Sequence, residues 1–193
     1  MKIKIKLTGT NPLLLHNSRL ANPLDPYARA KAEITGKRKK TDEDYARIMQ
    51  LEARGSVYET PDGKLGHPTQ NVWRCLYDAA KSFKRGEDVK RSLIEIGDVT
   101  VPLLVNGKQI AIDAFLENPE NIDYRPVTLS KRKTMRARPI VRKWESAHEF
   151  DLLTDILDLD VVKLIARHAG RVVGVGDWRP KFGKFEAVIG KAK

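Results

Sequence analysis

The sequence predicts an α+β fold, a ferredoxin-like (RRM-like) βαββαβ core carrying a helical insertion after its first strand and a long basic hairpin. Three observations predict it. Residues 1–7, MKIKIKL, alternate lysine with aliphatic residues at the period of a half-buried strand. Two amphipathic stretches, QNVWRCLYDAAKSF and residues 160–169, repeat their apolar positions at helical spacing. Between and after them lie apolar segments punctuated by turn residues, ending in a strand over residues 184–189.

The elements follow in order. Thr8, Gly9, Thr10, Asn11 and Pro12 break the first strand, and residues 13–15 form a short apolar return before His16 and Asn17. Residues 21–55 are polar, charged and helical in composition, with helices expected over 26–34 and 42–54. Thr41 is placed to cap the second helix, acidic residues fill its first turn, and Gly55 stands just past its end. This segment, taken as 21–60, is read as an insertion, and the whole of residues 1–193 as one domain. Thr69 is the expected N-cap of the first core helix, in which Val72, Leu76, Ala79, Ala80 and Phe83 share a face. After a basic turn over residues 84–86, the apolar stretch 93–105 reaches Asn106-Gly107, a strong hairpin signal leading into residues 108–112. Residues 125–143 hold Arg125, Lys131, Arg132, Lys133, Arg136, Arg138, Arg142 and Lys143 with no acidic residue among them. Because Ile140, Val141, Trp144 and Phe150 follow, the run reads as a basic hairpin or loop (125–144) entering core strands. Val161, Leu164, Ile165 and His168 mark the second core helix, after which Gly170 is either an ordinary C-cap before a tight turn or part of a ligand-binding glycine loop.

Composition narrows the function classes. The 193 residues hold 36 Lys and Arg against 25 Asp and Glu, a formal charge of +11 that favours polyanions, nucleic acid before an acidic membrane. A single cysteine, Cys75, excludes an internal disulfide and a cysteine-based zinc site and fits a reducing, cytoplasmic setting. The N-terminus lacks a signal-peptide pattern, and no stretch approaches the roughly 18 apolar residues of a membrane span.

The stretch AGRVVGVGDWRPKFGKFEAV concentrates glycines, cations and one tryptophan between the second helix and the last strand. It is not a Rossmann fingerprint, because Arg179 stands where the third glycine belongs and the segment follows a helix; nor is it a Walker loop, which needs a Lys-Ser or Lys-Thr pair after the glycines. A glycine loop of this kind suits close backbone approach to a ligand, and its cations suit phosphate. The arginines of the 125–143 run fork onto phosphate oxygens in the same way. Lys2, Lys4 and Lys6 point to the open face of the sheet if helices cover the other. An RNA-recognition motif would place stacking aromatics on its central strands. The first strand has none, so contact with the nucleic-acid backbone is expected, with Trp178, Trp144 and Tyr27 as stacking or core groups.

His16, His67, His148 and His168 are dispersed without metal-ligand spacing, so no metal or other cofactor is expected. His16 is a candidate general base or a turn residue, and His168 a structural helix residue. Asp25, between Pro23 and Pro26, reads as a turn and cap residue.

Three motifs in this order resemble the RAMP superfamily, the ferredoxin-like repeat-associated proteins that include backbone subunits of CRISPR effector complexes. KIKIKLTGTNPLLLHNSRL resembles the opening strand and loop, HPTQNVWRCLYDAAKSF the following amphipathic helix, and HAGRVVGVGDWRPKFGKFEAV the C-terminal glycine loop and last strand. TMRARPIVRKWESAHEFDLL resembles the thumb-like hairpin returning to a core strand, and the chain resembles solitary, phage-encoded members of the family. Asp177-Trp178 departs from the glycine-loop pattern.

The resemblance implies a non-enzymatic binder of RNA or single-stranded DNA that assembles head to tail as a homo-oligomer, a heterologous contact that yields filaments. The expected nucleic-acid contacts are Lys4, Lys6, Arg132, Lys133, Arg136, Arg138, Trp178, Arg179, Lys181 and Lys184. Some family members cleave RNA with an aspartate in the loop after the first strand, where Asp25 lies, and others with histidine. A metal-independent endoribonuclease using His16 or Asp25 is therefore one alternative, and a scaffold or virion-assembly protein another; no residue is assigned as catalytic.

Overall fold

The computed structural model describes residues 1–97, 99–129 and 132–192, with residues 129 and 132 described in backbone only. β1 (Lys2–Gly9) buries Ile3, Ile5 and Leu7 and turns its lysines outward, as the alternation requires. β2 is the short return Leu13–Leu14. Of the two insertion helices, α1 (Pro26–Thr35) is capped by Asp25, whose carboxylate accepts from the Tyr27 amide. α2 (Asp42–Ser56) opens on a full capping box, Thr41 and Asp44 each bonding the other's backbone amide. Gly55 does not end that helix: it is buried inside it, where a Cβ would meet Leu20 at 2.4 Å.

β3 (Gly66–Pro68) leads into α3 (Thr69–Ala80), whose N-cap is Pro68 rather than Thr69. The Thr69 hydroxyl is drawn instead into the core, 3.1 Å from His148 Nδ1. The basic turn continues into α4 (Gly86–Ser92), a helix too short for periodicity to reveal, which runs directly into β4 (Leu93–Ile96). β5 (Thr100–Pro102) pairs with β3, and β6 (Leu104–Val105) precedes the Asn106-Gly107 turn, both of whose residues have positive φ. That turn closes a single bridge from Val105 to Lys108; no strand follows, and the chain enters α5 (Ile112–Leu116).

The basic run forms β7 (Ile122–Leu129) and β8 (Arg132–Val141), paired antiparallel through eight positions from Ile122 opposite Pro139 to Leu129 opposite Arg132. Ser130 and Lys131 lie outside the described residues. β9 (Trp144–Leu152) alternates buried and half-buried residues along its length. α6 (Leu159–His168) does not stop at Gly170 but widens into a π-turn, Ala169–Val173, before β10 (Phe185–Lys191).

The main sheet is antiparallel, in the order β10-β1-β9-β4, with β6 also on β9. α3 and α6 each connect two strands that have one other strand between them. Both helices lie on the face holding Ile3, Ile5, Phe150 and Phe185, where their apolar stripes complete the core with Val72, Leu76, Val162 and Ile165. A second sheet, β2-β8-β7, packs against α2 through β8. α2 therefore belongs to the packed body, with Ile48, Leu51 and Ala53 buried. Among the described residues no helix is long and apolar enough to cross a membrane.

Candidate nucleic-acid interface

The glycine segment leaves the π-turn, makes a closed excursion over residues 175–183 and returns to β10. Its base is tied by Val175 N–H to the Gly183 carbonyl at 2.9 Å and Gly183 N–H to the Pro12 carbonyl at 2.8 Å, and Asp177 N–H bonds Leu14 at 2.9 Å. Gly176 (φ +77) lies so close to β2 that a Cβ would stand 2.5 Å from the Leu14 carbonyl; at Gly183 it would stand 1.8 Å from that of Val175. These glycines allow backbone to approach backbone inside the protein.

Held this way, residues 176–180 stand as a ridge between two hollows that share Gly176, Asp177 and Arg179. One, of about 210 Å³, is polar and adds His16, Tyr58, Asn71 and Arg74. The other, of about 510 Å³, has Val172, Val173, Trp178 and Pro180 as apolar walls and Asp78 on its polar side. Asp78 is shared by three cations: Arg74 at 3.2 Å, Lys81 at 2.9 Å and Arg179 at 3.7 Å. One carboxylate cannot neutralise all three, so the ridge keeps a positive surplus that a second anion could share.

Local structure explains the placement. Asn71, Arg74 and Asp78 fall on one face of α3 at spacings of three and four, so the helix presents them together. Tyr58 donates from its hydroxyl to the His16 carbonyl at 3.0 Å, fixing the loop after β2. The His16 side chain is exposed at the rim; desolvation where it turns toward the hollow, then Arg138 and Arg136, outweigh Asp177 and hold its pKa below the ordinary histidine value. His16 is thus a neutral base near pH 7.

The expected contacts fall into three groups. Lys133, Lys181 and Lys184 have no ion-pair partner among the described residues, and Lys133 and Lys181 are exposed. Arg179 and Trp178 belong to the ridge, Trp178 being 39% exposed. The others, apart from Arg132, are paired with carboxylates of the protein itself, Lys4 and Lys6 on the surface. Lys4 pairs with Glu149 at 3.3 Å and Lys6 with Glu145 at 2.6 Å across the open sheet face. Arg136 pairs with Glu52 of α2. Arg138 is only 7% exposed, and its Nε lies 2.6 Å from Asp177 Oδ2 at an angle too poor for a hydrogen bond. The side chain of Arg132 lies outside what is described.

Of the other residues weighed, Trp144 is a core residue donating to the Asn11 carbonyl at 2.9 Å, and Tyr27 packs beneath Arg19 and Arg54. Asp25 caps α1 and pairs with Arg19 at 2.7 Å, so it is a structural carboxylate. His168 packs edge-on against Phe83. The described residues hold no cluster of three or more His, Cys, Asp or Glu suited to a metal ion. Arg74, Asn71 and Tyr58 escaped sequence reasoning; the spacing of Asn71, Arg74 and Asp78 on α3 was the one signal pointing to a polar helix face. No family model and no curated protein matches this sequence.

Proposed function

We propose that this protein binds single-stranded nucleic acid without sequence specificity, on a ferredoxin-like core of the RAMP type, and assembles head to tail along the strand. The observation that carries the reading is the ridge of residues 176–180: three cations around one carboxylate, flanked by a polar hollow and by an apolar one walled with Trp178. A phosphate can share the cations while an unstacked base lies against the tryptophan. Lys181, Lys184 and the formal charge of +11 extend the same attraction beyond the ridge. Support for the core is the sheet order, in which α3 and α6 each cross over one intervening strand as in the split βαββαβ motif.

The test is fluorescence anisotropy with labelled single-stranded oligonucleotides across a salt series, using wild type and Arg74→Glu combined with Arg179→Glu. Wild type binds more weakly as salt rises, and the double variant weakens binding on every sequence and flattens the salt slope. No binding at low salt, or binding indifferent to salt, overturns the reading. Sedimentation with and without oligonucleotide tests the assembly.

One observation favours a second reading, a metal-independent endoribonuclease: neutral His16 shares the polar hollow with Arg74 and Arg179, a base beside two cations that can stabilise a charged phosphate. RNA left intact by wild type at high enzyme concentration removes it.

A further inference from the structure

β10 is an edge strand: among the described residues it pairs with β1 on one side and with no strand on the other. Its ladder states which groups are free. Thr10 N–H bonds the Lys184 carbonyl at 2.9 Å and Ala192 N–H bonds the Lys2 carbonyl at 3.1 Å, and the register between these points is unbroken. In an antiparallel pair the bonded residues alternate, so residues 184, 186, 188, 190 and 192 face β1. Phe185, Ala187, Ile189 and Lys191 therefore direct their N–H and C=O groups away from the sheet.

The π-turn covers the first of these. Gly170 lies so close that a Cβ on it would stand 2.0 Å from the Phe185 carbonyl. Beyond it, the groups of Ala187, Ile189 and Lys191 bond no other element among the described residues. Beside this open edge runs a groove of about 570 Å³ along residues 185–188, lined also by Arg167, Arg171 and Lys184. None of these three cations has an ion-pair partner among the described residues; the one acid on the groove is Glu186.

We propose that this edge takes up an extended acidic peptide segment of another protein as an added strand, independently of nucleic-acid binding. An added strand satisfies both the donors and the acceptors of Ala187 and Ile189, while its acidic side chains meet Arg167, Arg171 and Lys184. A nucleic-acid backbone fits less well, because its phosphates would face the free carbonyls as well as the amides. A second copy of this chain could offer its own β10, but that pairing would bring the Arg167, Arg171 and Lys184 of the two copies together, like charge against like. Its other main-sheet edge at β4 is four residues long with the Leu93 carbonyl already bonded by Trp73 Nε1 at 2.9 Å, and the β7 edge carries Pro126 and Arg125.

The probe is a fluorescein-labelled octapeptide alternating aspartate and valine. Two variants attack the proposal from different sides. Ala187→Pro removes one outward N–H without touching a bond to β1, a position at which an edge strand accepts proline. Arg167→Glu with Arg171→Glu reverses the groove charge. Wild type binds the octapeptide, each variant weakens binding by about tenfold or more, and hydrogen exchange slows at Ala187 and Ile189 when peptide is added. Lys191→Pro, at an exposed outward position, gives the same loss should Ala187→Pro fail to fold. Absence of octapeptide binding overturns the proposal, as does equal binding by folded proline variants. Protection of Ala187 and Ile189 by an oligonucleotide, or by raising protein concentration alone, overturns it in favour of nucleic acid or of a second copy.

Discussion

The guanidinium of Arg125 sits 4.5 Å from the centroid of the Trp178 ring. The same group lies 4.7 Å from the Phe182 ring and is held in place by Asp123, its neighbour on β7. A cation from the basic hairpin thus clamps the ridge that carries Trp178, joining two segments more than fifty positions apart in sequence.

A double-mutant cycle on Arg125→Ala and Trp178→Ala measures this contact. Because Trp178 is partly exposed, a coupling of about 1 kcal/mol is expected in urea unfolding. Additive losses would show that the hairpin and the ridge are held independently.

Glu52 is the buried hinge between α2 and the hairpin: it accepts from Lys31 Nζ at 2.7 Å and from the Ala137 amide at 3.0 Å, and pairs with Arg136. Burial pushes its carboxyl upward, but the bonds from Lys31, the Ala137 amide and Arg136 outweigh it and leave the pKa below the ordinary glutamate value. Since Lys31 and Arg136 are partly exposed and can rehydrate, Glu52→Ala costs about 2 kcal/mol, short of the loss for a fully buried pair. Denaturant unfolding of Glu52→Ala and Glu52→Gln checks it, with Gln retaining part of the loss.

His67 and His148 face each other in the core at 5.0 Å between ring centroids, with Ser146 Oγ 3.0 Å from a nitrogen of each. Burial pushes the His67 pKa down to about 4, and burial followed by the facing His67 pushes His148 lower still. Both rings are neutral in the folded state and gain protons on unfolding below pH 6.5. Stability is therefore full above pH 6.5 and falls with pH, by up to about 1.4 kcal/mol per pH unit for each ring. Urea unfolding between pH 7 and pH 5 reads the slope, to which His16, also held below its ordinary value, adds and which Glu95, raised by burial, opposes, so the difference between wild type and a core-histidine variant isolates this pair. His67→Gln reduces the slope; an unchanged slope would place the proton uptake elsewhere.

Three glycine-to-alanine variants separate strain from crowding. Gly190 has open space around its Cβ position and no positive φ, Gly97 has open space but φ +77, and Gly176 has both φ +77 and the Leu14 carbonyl at 2.5 Å. Alanine is expected to be neutral at Gly190, to cost about 1 kcal/mol at Gly97 and more at Gly176. Only Gly176→Ala should also weaken oligonucleotide binding, because it moves the ridge. Thermal melts and anisotropy read the series.

Local chemistry carried much of the secondary structure. Thr41 and Asp44 are three apart, so their capping box is written in adjacent residues, and Asn106-Gly107 favours positive φ at both positions wherever it occurs. The lysine-aliphatic alternation of β1 assigns each side chain to a face without reference to anything distant. By contrast, α4 and α5 are seven and five residues long, too short to show a helical period. Thr69 looked like a cap because its type favours caps, yet a buried histidine from β9 claimed its hydroxyl.

By itself, then, the sequence determined the α+β element pattern, the two amphipathic helices and the surplus of positive charge, all of which follow from neighbours within a few residues or from composition. Only the tertiary structure decided which cations are free. Arg136 is hydrogen-bonded to a glutamate 84 positions away and Arg138 is ion-paired with Asp177, whereas Lys181 is left exposed and Arg74, unremarkable in sequence, is brought to the ridge. A charge's availability depends on what packing places within a few ångströms of it, and that proximity is set by the sheets and by the tied base of the glycine loop.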